Sequence, residues 1–432
     1  MHIVNIVPGF GGTFYCGNCL RDSDYTSALR AAGHESTTLP IYLPLSMDHV
    51  AKDNGIPVFY GAISVYLKQN FRLLRHMPAW LEHFFNAPFF LKIASKRAGS
   101  TRAEGLEEMT ISMLKGHEGY QREELDMLVD YIKDHVKPDV IHLSNALLLG
   151  LAKEIKEKLN VPVVCSLQDE DVWIDAMHPD YIPGLWELMS EKARDIDAFI
   201  AVSQYFSDVM TRKMKLDPSK VFVVHIGVDP QKYRFESPVK HPMTIGYMSR
   251  LNEENGFGIV VDAFIQLKRE MDLCNCKLKL TGGSTGDDKR YIKKQISKLK
   301  SAGLLEEVAF LDQYEGEEKR RFLSSLSVLT VPVLNGEAFG LYQLEAMASG
   351  TPIVQPALGA FPEIVEATGG GKLFSPNTSD ALCQVLKTIL TDEDQLRTLA
   401  ERGRAGVLEK FDLKTLVDKM IGVYRIARDL RT

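Results

Sequence analysis

The sequence has few cysteines and no long apolar run. Its 432 residues include 6 cysteines, which are scattered along the chain. This usage offers no disulfide framework and is typical of a protein from a reducing compartment. The N-terminus lacks a basic start, and its first apolar run stops at Pro8, so no signal peptide is expected. No run of about 18 uncharged apolar residues exists, so the sequence predicts no transmembrane helix.

Positive charge is not in excess either. The chain carries 51 Lys and Arg against 57 Asp and Glu, a formal net charge of −6. A general nucleic-acid binder has a basic balance, so we expect no nucleic-acid partner. The hydrophobic fraction of 45% and the charged fraction of 25% are those of a globular protein. We expect a cytoplasmic location, with peripheral contact at the inner face of the membrane as one option.

Short apolar runs alternate with longer segments of helical spacing. The predicted strands are Ile3–Val7, Ser36–Leu39, Val140–Leu143, Val161–Leu167, Phe199–Val202, Val221–Val224, Thr244–Met248, Lys277–Leu280, Val308–Leu311, Val328–Val333 and Ile353–Gln355. Runs that are apolar along their whole length are typical of strands buried on both faces of a parallel sheet. The alternation therefore predicts an α/β fold with doubly wound parallel sheets.

The strand pattern restarts at Thr244, after a proline-containing stretch without periodicity at 229–243. The predicted organisation is a first Rossmann-like domain at 1–240 with a helical insertion at about 46–123, a second at 241–412, and an amphipathic helix at 413–432. That helix either belongs to the second domain or crosses back to the first. Ligands of such sheets bind outside the carboxyl ends of the strands, so we expect the site there, in a cleft between the domains.

One stretch of the insertion, Tyr66–Arg97, combines six basic residues and one acid with many aromatic side chains. Aromatic residues buried among lipids and basic residues at the headgroups would suit an anionic membrane surface. The alternative is an insertion on the acceptor side that packs on its own domain.

The strongest candidate for chemistry follows strand Val328–Val333. A helix is predicted from about Gly340 to Ser349, with its N-terminus at the carboxyl end of the strand. Free backbone N–H groups at such an end suit a phosphate. Glu337 lies just before the helix and Glu345 about one turn inside it, so both carboxylates can accept hydroxyl hydrogen bonds in one pocket. Alternatively, these are an ordinary helix-start acid and a solvated residue.

The residues from Glu337 to Val354, E-A-F-G-L-Y-Q-L-E-A-M-A-S-G-T-P-I-V, closely resemble the donor-site motif of the family-4 retaining glycosyltransferases (glycosyl transferases group 1). Gly359–Val365 and Gly371–Phe374 follow in the order and spacing of that family. The resemblance covers nearly the whole chain and is dense from Thr244 to Phe374. It implies the GT-B fold, two facing Rossmann-like domains with a nucleotide-sugar donor held mainly by the second.

The resemblance also implies an activity: transfer of a hexose from a UDP- or GDP-linked donor to an acceptor hydroxyl on a glycan or lipid, with retained anomeric configuration. No metal or other cofactor is implied. Glu337 would contact the donor sugar hydroxyls, and Glu345 would bind the nucleotide ribose. The backbone of Ala338, Phe339, Gly340 and Leu341 would face the sugar and diphosphate.

Four further segments match donor-site positions of the family. The glycine-rich turn after the first strand, with Gly11, Gly12 and Thr13, would touch the diphosphate, or it is only a tight turn. Arg250 is the family's phosphate-binding arginine, or a member of a surface ion pair. Asn255 occupies a position where the family usually has a lysine. Gly282 and Gly283 would line the nucleotide pocket, and Gln313 occupies the base-contacting position.

In the first domain the resemblance is weaker. Strand Val161–Leu167 ends in Gln168 and Asp169, where the family commonly has a histidine; Asp169 would contact sugar or acceptor, or cap the next helix. Cys16, Asn18 and Cys19 are unusual for the family, and we expect them to shape acceptor specificity. Packing thiols, or a metal or redox pair, are the alternatives.

Two rival functions follow from these departures. A sugar-nucleotide epimerase of the same fold would need no acceptor and would release an altered sugar. A weakly active sugar-nucleotide-binding homologue would explain Asn255 and the missing strand-end histidine.

Overall fold

The computed structural model describes residues 1–8, 17–41, 103–312 and 314–430. In these ranges the chain forms two separate six-stranded sheets, in which every pair of neighbouring strands is parallel. The chain divides into two compact units. The described residues of the first are 1–8, 18–41, 103–224 and 417–430, and those of the second are 17, 225–312 and 314–416.

The first sheet has the strand order β2-β1-β3-β4-β5-β6. Its strands are β1 His2–Val7, β2 Glu35–Pro40, β3 Val140–Leu143, β4 Val163–Leu167, β5 Ala198–Ala201 and β6 Val221–Val223. The helices of this unit are α1 Gly17–Ala31, α2 Glu107–Lys115, α3 Arg122–Tyr131, α4 Ala152–Leu159, α5 Glu170–Asp175, α6 Ile182–Lys192 and α7 Gln204–Met214. Strands β3, β4 and β5 are buried at every residue, as expected for central strands covered on both faces.

The second sheet has the order β12-β11-β10-β7-β8-β9. Its strands are β7 Thr244–Met248, β8 Lys277–Thr281, β9 Val308–Phe310, β10 Val328–Leu329, β11 Ile353–Pro356 and β12 Gly371–Phe374. Its helices are α8 Phe257–Leu267, α9 Lys289–Ser301, α10 Gly316–Ser324, α11 Leu341–Ala348, α12 Phe361–Thr368, α13 Ser379–Leu390 and α14 Glu393–Lys410. The strand order places the ends of β7, β8, β10 and β11 side by side, which brings the candidate loops together.

The last helix, α15 Leu413–Asp429, begins in the second unit and continues in the first. In the first unit the hydroxyl of Tyr424 lies 2.7 Å from Nδ1 of His142 on β3. The other ring nitrogen of His142 lies 2.8 Å from the hydroxyl of Ser166 on β4. Burial lowers the pKa of His142 to about 3, so the ring is neutral and joins the helix to the sheet by hydrogen bonds.

The predicted fold class, two Rossmann-like domains with parallel sheets, is confirmed. Strand β12 was not predicted as a strand, and β10 ends at Leu329 instead of Val333. Beyond β10, the amide of Val331 donates to the side chain of Gln355 and Pro332 has no amide hydrogen to donate. Residues 225–240, assigned from the sequence to the first domain, group with the second unit.

The predicted insertion falls mainly outside the described residues, and so does the whole of Tyr66–Arg97. The part of the insertion that is described contains α2 and the first residues of α3. Among the helices of the described ranges, none combines the length and apolar character needed to cross a membrane.

Candidate functional site

The loop between β10 and α11 is held against the turn that precedes α12. The amide of Ala360 donates to the carbonyl of Glu337 at 3.0 Å. A Cβ added to Gly336 would lie 2.6 Å from the amide nitrogen of Gly359, and both glycines have positive φ angles. Side chains at these two positions would push the segments apart, so the glycines allow the backbone contact that fixes Glu337.

The carboxylate of Glu337 lies close to the N-terminus of α11. Gly340 immediately precedes this helix, and a Cβ added there would lie 2.7 Å from Oε2 of Glu337. The free N–H groups of a helix start favour negative charge. Glu337 is half-buried, so the carboxylate is at the same time fixed near the helix and accessible to a ligand.

Tyr247 on β7 connects this carboxylate with the loop that carries Arg250. Its hydroxyl donates to the carbonyl of Arg250 at 2.8 Å and approaches that of Asn255 at 3.3 Å. Burial raises the pKa of Tyr247 well above its usual value, and the negative charge of Glu337 adds to the effect. The charge of Glu337 therefore acts on the same tyrosine whose hydroxyl bonds the turn after β7.

Phe339 and Ala338 direct their side chains into the interior, where they are 2% and 6% exposed. The ring of Phe339 packs against Phe411 and His225, with centroids 6.2 and 6.1 Å apart. Nε2 of His225 lies 2.6 Å from Oε1 of Glu363. The side chains of this part of the loop therefore face the interior, and the contact of its backbone with a donor stays a prediction. His225 was not identified from the sequence.

Glu345 lies in the second turn of α11 and is 3% exposed. Its Oε1 accepts hydrogen bonds from Nζ of Lys319 at 2.6 Å and from the hydroxyl of Tyr233 at 2.8 Å. The interpretation of Glu345 as a solvated residue is therefore wrong. Lys319 and Tyr233 were missed, because α10 and the segment before β7 carry no motif that connects them with α11.

Arg250 forms an ion pair with Asp288. Its Nε and Nη2 donate to the two carboxylate oxygens at 2.8 and 2.9 Å, and Nη2 also donates to the hydroxyl of Thr285 at 2.8 Å. Burial opposes ionisation of Asp288, but bonds from Arg250 and Thr285 outweigh it and hold the pKa of Asp288 below its usual value. The pair is largely buried, unlike the surface ion pair considered from the sequence.

Asn255 and the glycines after β8 complete this region. Nδ2 of Asn255 donates to the hydroxyl of Ser249 at 2.8 Å, so the amide closes the turn after β7. The amide of Leu251 donates to the carbonyl of Gly283 at 3.0 Å. A Cβ on Gly282 would lie 2.2 Å from the carbonyl oxygen of Ser249. The two loops therefore lie in direct backbone contact.

In the first unit, polar residues gather at the ends of β3 and β4. Nε2 of Gln168 donates to the carbonyl of Ser144 at 2.6 Å, and Nη2 of Arg21 approaches the same oxygen at 3.4 Å. The side-chain oxygens of Gln168 and Ser144 are buried without a hydrogen-bond partner. Asp169 adopts a left-handed conformation with φ of 57° and precedes α5 without a side-chain capping bond.

Glu170, which was not identified from the sequence, is 1% exposed. Its carboxylate accepts the amides of Ala146 at 2.8 Å and Gln168 at 2.6 Å. Burial raises the pKa of Glu170 to about 8, although these backbone bonds act in the opposite direction. The residue joins the turn after β3 to the turn after β4, so its local role is structural.

One group in the described ranges has donor atoms close enough to share a metal ion, namely His117, Asp126 and Glu154. Nζ of Lys158 donates to Asp126 at 2.7 Å and pairs with Glu154 at 3.0 Å. One ammonium group therefore already contacts both carboxylates. The cluster contains none of the residues predicted to bind the donor.

Some predicted site residues cannot be placed. Gly11, Gly12, Thr13, Cys16 and Gln313 lie outside the described residues. Asn18 and Cys19 belong to the first turn of α1. What was predicted for their side chains stays a prediction.

The fold and this constellation of loops define a glycosyltransferase of the GT-B class. Residues 229–406 match the family described as glycosyl transferases group 1, and residues 110–232 match the one described as Glycosyltransferase Family 4. The chain belongs to the family-4-type group 1 glycosyltransferases.

Several individual proteins are also similar to this chain. An uncharacterized glycosyltransferase of Methanocaldococcus jannaschii is 22% identical over 308 residues, 68% of this chain and 77% of that protein. The MMP alpha-(1->4)-mannosyltransferase of Mycolicibacterium hassiacum is 28% identical over 304 residues, 67% of this chain and 71% of that protein. The crystal structure of Anabaena HepE in complex with UDP has a TM-score of 0.68 at 19% identity, covering 98% of this chain and 99% of that chain. The structural likeness shows the shared fold.

Proposed function

We propose that the enzyme transfers a hexose from a UDP- or GDP-linked donor to a hydroxyl of a glycan or lipid-linked acceptor, with retention of anomeric configuration and without a metal. The observation that carries the proposal is the position of Glu337. Its half-buried carboxylate lies beside the N-terminus of α11, and the glycine turns at Gly336 and Gly359 allow the backbone contact that places the residue there. A carboxylate can accept hydrogen bonds from sugar hydroxyls, and the helix start beside it attracts phosphate. The two together suit a sugar that is linked to a diphosphate.

In this proposal the second unit holds the donor. Glu337 accepts hydrogen bonds from the sugar hydroxyls, and Glu345 binds the ribose. Backbone groups of Ala338, Phe339, Gly340 and Leu341 face the sugar and diphosphate. The remaining donor contacts come from Gly282 and Gly283, with Gln313 at the base and Gly11, Gly12 and Thr13 at the diphosphate. Asp169, Gln168 and the segment Cys16–Cys19 are on the acceptor side.

The reaction requires no covalent bond to the protein. The bond between the anomeric carbon and the diphosphate oxygen breaks, and the acceptor oxygen bonds to that carbon on the same face. The proton of the acceptor hydroxyl goes to the departing phosphate. The start of α11 and Arg250 stabilise the negative charge that develops on this phosphate.

The similar proteins support this substrate class. Anabaena HepE was crystallised with UDP, and the Mycolicibacterium hassiacum protein is named as a mannosyltransferase. We infer from them a nucleotide-linked hexose as donor, and a role in glycan or glycolipid synthesis.

A product analysis tests the proposal. Purified protein is incubated with α-linked UDP and GDP hexoses and candidate acceptors, and the anomeric configuration of the product is measured by NMR. We expect an α-linked product, formed at the same rate with and without a chelator. A β-linked product, or loss of activity that a divalent metal restores, would contradict the proposal.

A second candidate is a sugar-nucleotide-binding homologue with weak activity. Two observations favour it: Arg250 is already paired with Asp288, and the neutral amide of Asn255 stands where the family usually has a lysine. Tight donor binding without transfer or hydrolysis would support this candidate. Release of an altered sugar in the absence of acceptor would instead indicate the epimerase.

A further inference from the structure

Lys319 and Glu345 form a buried ion pair between two helices of the second unit. Lys319 on α10 is 9% exposed at its side chain, and Glu345 on α11 is 3% exposed. Tyr233, which precedes β7 and is 8% exposed, donates to the same carboxylate oxygen as Lys319. Two donors from separate segments therefore converge on Oε1 and fix the orientation of the carboxylate.

The physical role of Lys319 follows from this burial. A carboxylate removed from water keeps its charge only if a cation or several hydrogen bonds compensate it. Tyr233 supplies a neutral donor. Arg404 on α14 approaches the same region but donates to the carbonyls of Ala348, Pro230 and Tyr233. Lys319 is thus the charged side chain that bonds Glu345 directly.

The orientation of the carboxylate decides how it could meet a ribose. Lys319 and Tyr233 both donate to Oε1, so two bonds from different directions fix how the carboxylate is turned. A carboxylate accepts the hydroxyl hydrogen bonds of a vicinal diol only in a suitable orientation. The fixed rotamer of Glu345 therefore matters for binding a ribose.

We propose that Lys319 is a positioning residue, which holds the carboxylate of Glu345 oriented for the ribose of the nucleotide. This inference rests on the proposed function, because it assigns the ribose to Glu345. Lys319 itself touches no substrate and acts through the carboxylate. Tyr233 supports the orientation to a smaller degree, since it contributes a hydrogen bond and no charge.

The test measures nucleotide affinity with and without the ribose hydroxyls. UDP, GDP and their 2′,3′-dideoxy forms are titrated into wild-type protein and the Lys319→Met variant by calorimetry. We expect the affinity of the variant for UDP or GDP to fall at least about tenfold. The dideoxy forms lack the vicinal diol and should bind both proteins with similar affinity, because Lys319 acts through the carboxylate that binds the diol. An equal loss for both forms would show that Lys319 has only a general structural effect.

Two further variants make the result interpretable. Lys156→Met removes a comparable pair in the first unit, in which Nζ of Lys156 lies 2.7 Å from Asp197, and should leave nucleotide affinity unchanged. If Lys319→Met does not fold, the double variant Lys319→Met, Glu345→Gln should fold, because it leaves no uncompensated charge. That double variant should bind UDP and GDP as weakly as their 2′,3′-dideoxy forms.

The outcomes separate the two proposals. If neither UDP nor GDP binds the wild-type protein, the proposed function fails, and this inference fails with it. If the wild type binds and Lys319→Met binds UDP and GDP equally well, only the inference is overturned. A lower melting temperature with unchanged affinity would likewise reduce Lys319 to a purely structural residue.

Discussion

The two units have the same sheet architecture, but the buried carboxylates of Asp288 and Glu170 are bonded in different ways. In the second unit Asp288 is bonded to Arg250 and Thr285, and its pKa lies below the usual value. In the first unit the bonded partners of Glu170 are the backbone amides of Ala146 and Gln168, and burial raises its pKa to about 8. Burial therefore dominates the pKa of Glu170, whereas the bonds from Arg250 and Thr285 outweigh burial at Asp288.

This difference matches the roles that we assign to the two units. The loops of the second unit carry the charged side chains of Glu337 and Arg250, which we assign to the sugar and the diphosphate. The strand ends of the first unit carry a polar cluster in which Gln168 and Ser144 keep buried oxygens without a hydrogen-bond partner. Five substitutions test whether this contrast is functional.

The largest effect is expected for Glu337→Gln. An amide replaces one acceptor by a donor and removes the charge near the start of α11, so transition-state stabilisation is lost. We expect kcat to fall by about 10²–10³. The measurement is the initial rate of transfer at saturating donor. Glu253→Gln, at an exposed position in the turn after β7, serves as the control and should retain wild-type kcat.

Arg250→Ala should have the next largest effect. Loss of a charge-assisted hydrogen bond to the diphosphate is worth roughly 1.5–3 kcal/mol, which corresponds to a rise in donor KM of about 10- to 100-fold. The variant also leaves Asp288 buried without its cation. The double variant Arg250→Ala, Asp288→Asn should regain stability but keep the high KM. Full recovery of KM in the double variant would show that Arg250 is only structural.

Glu170→Gln should change the pH dependence of stability. The pKa of Glu170 is raised from 4.5 in the unfolded chain to about 8 in the folded protein, so folding takes up a proton. In wild-type protein this group makes the free energy of unfolding decrease as pH rises, by at most about 1.4 kcal/mol per pH unit. Denaturant titrations between the two pKa values should show this slope, and the variant should lack its contribution. Equal slopes would contradict the assignment.

The smallest effect concerns the two positions where the chain departs from its family. Asn255→Lys should lower donor KM, by up to about tenfold, because a cation joins the diphosphate site while the bond to Ser249 is lost. Gln168→His should give no such gain, because Gln168 is 5% exposed and bonded to Ser144. Improved activity in Gln168→His would show that the first unit contributes more to donor binding than we infer.

Much of this fold was predictable from sequence, because buried parallel strands leave uninterrupted apolar runs. The helix after β10 was predicted within a residue at each end, because Gly340 and Gly350 mark its limits. β12 was missed since Lys372 interrupts its apolar pattern at an exposed position.

The partners of the site residues were harder to predict. Asp288 was missed although Thr285 and Asp288 have the spacing of a capping box, a pattern that points to a structured turn. Lys319, Tyr233 and Glu170 give no comparable local signal. Their contacts join segments that are distant in sequence, so only the tertiary structure brings them together.

The most direct test of the central claim compares UDP hexose and GDP hexose with the free nucleotides as ligands. Ligands that bind only the folded protein raise its melting temperature, and the measurement is this rise for the wild type, Glu337→Gln and Glu170→Gln. We predict that the sugar adds stabilisation beyond that of the nucleotide in the wild type and in Glu170→Gln, and that this addition disappears in Glu337→Gln. An undiminished contribution of the sugar in Glu337→Gln would contradict the assignment of the donor site to the loop before α11.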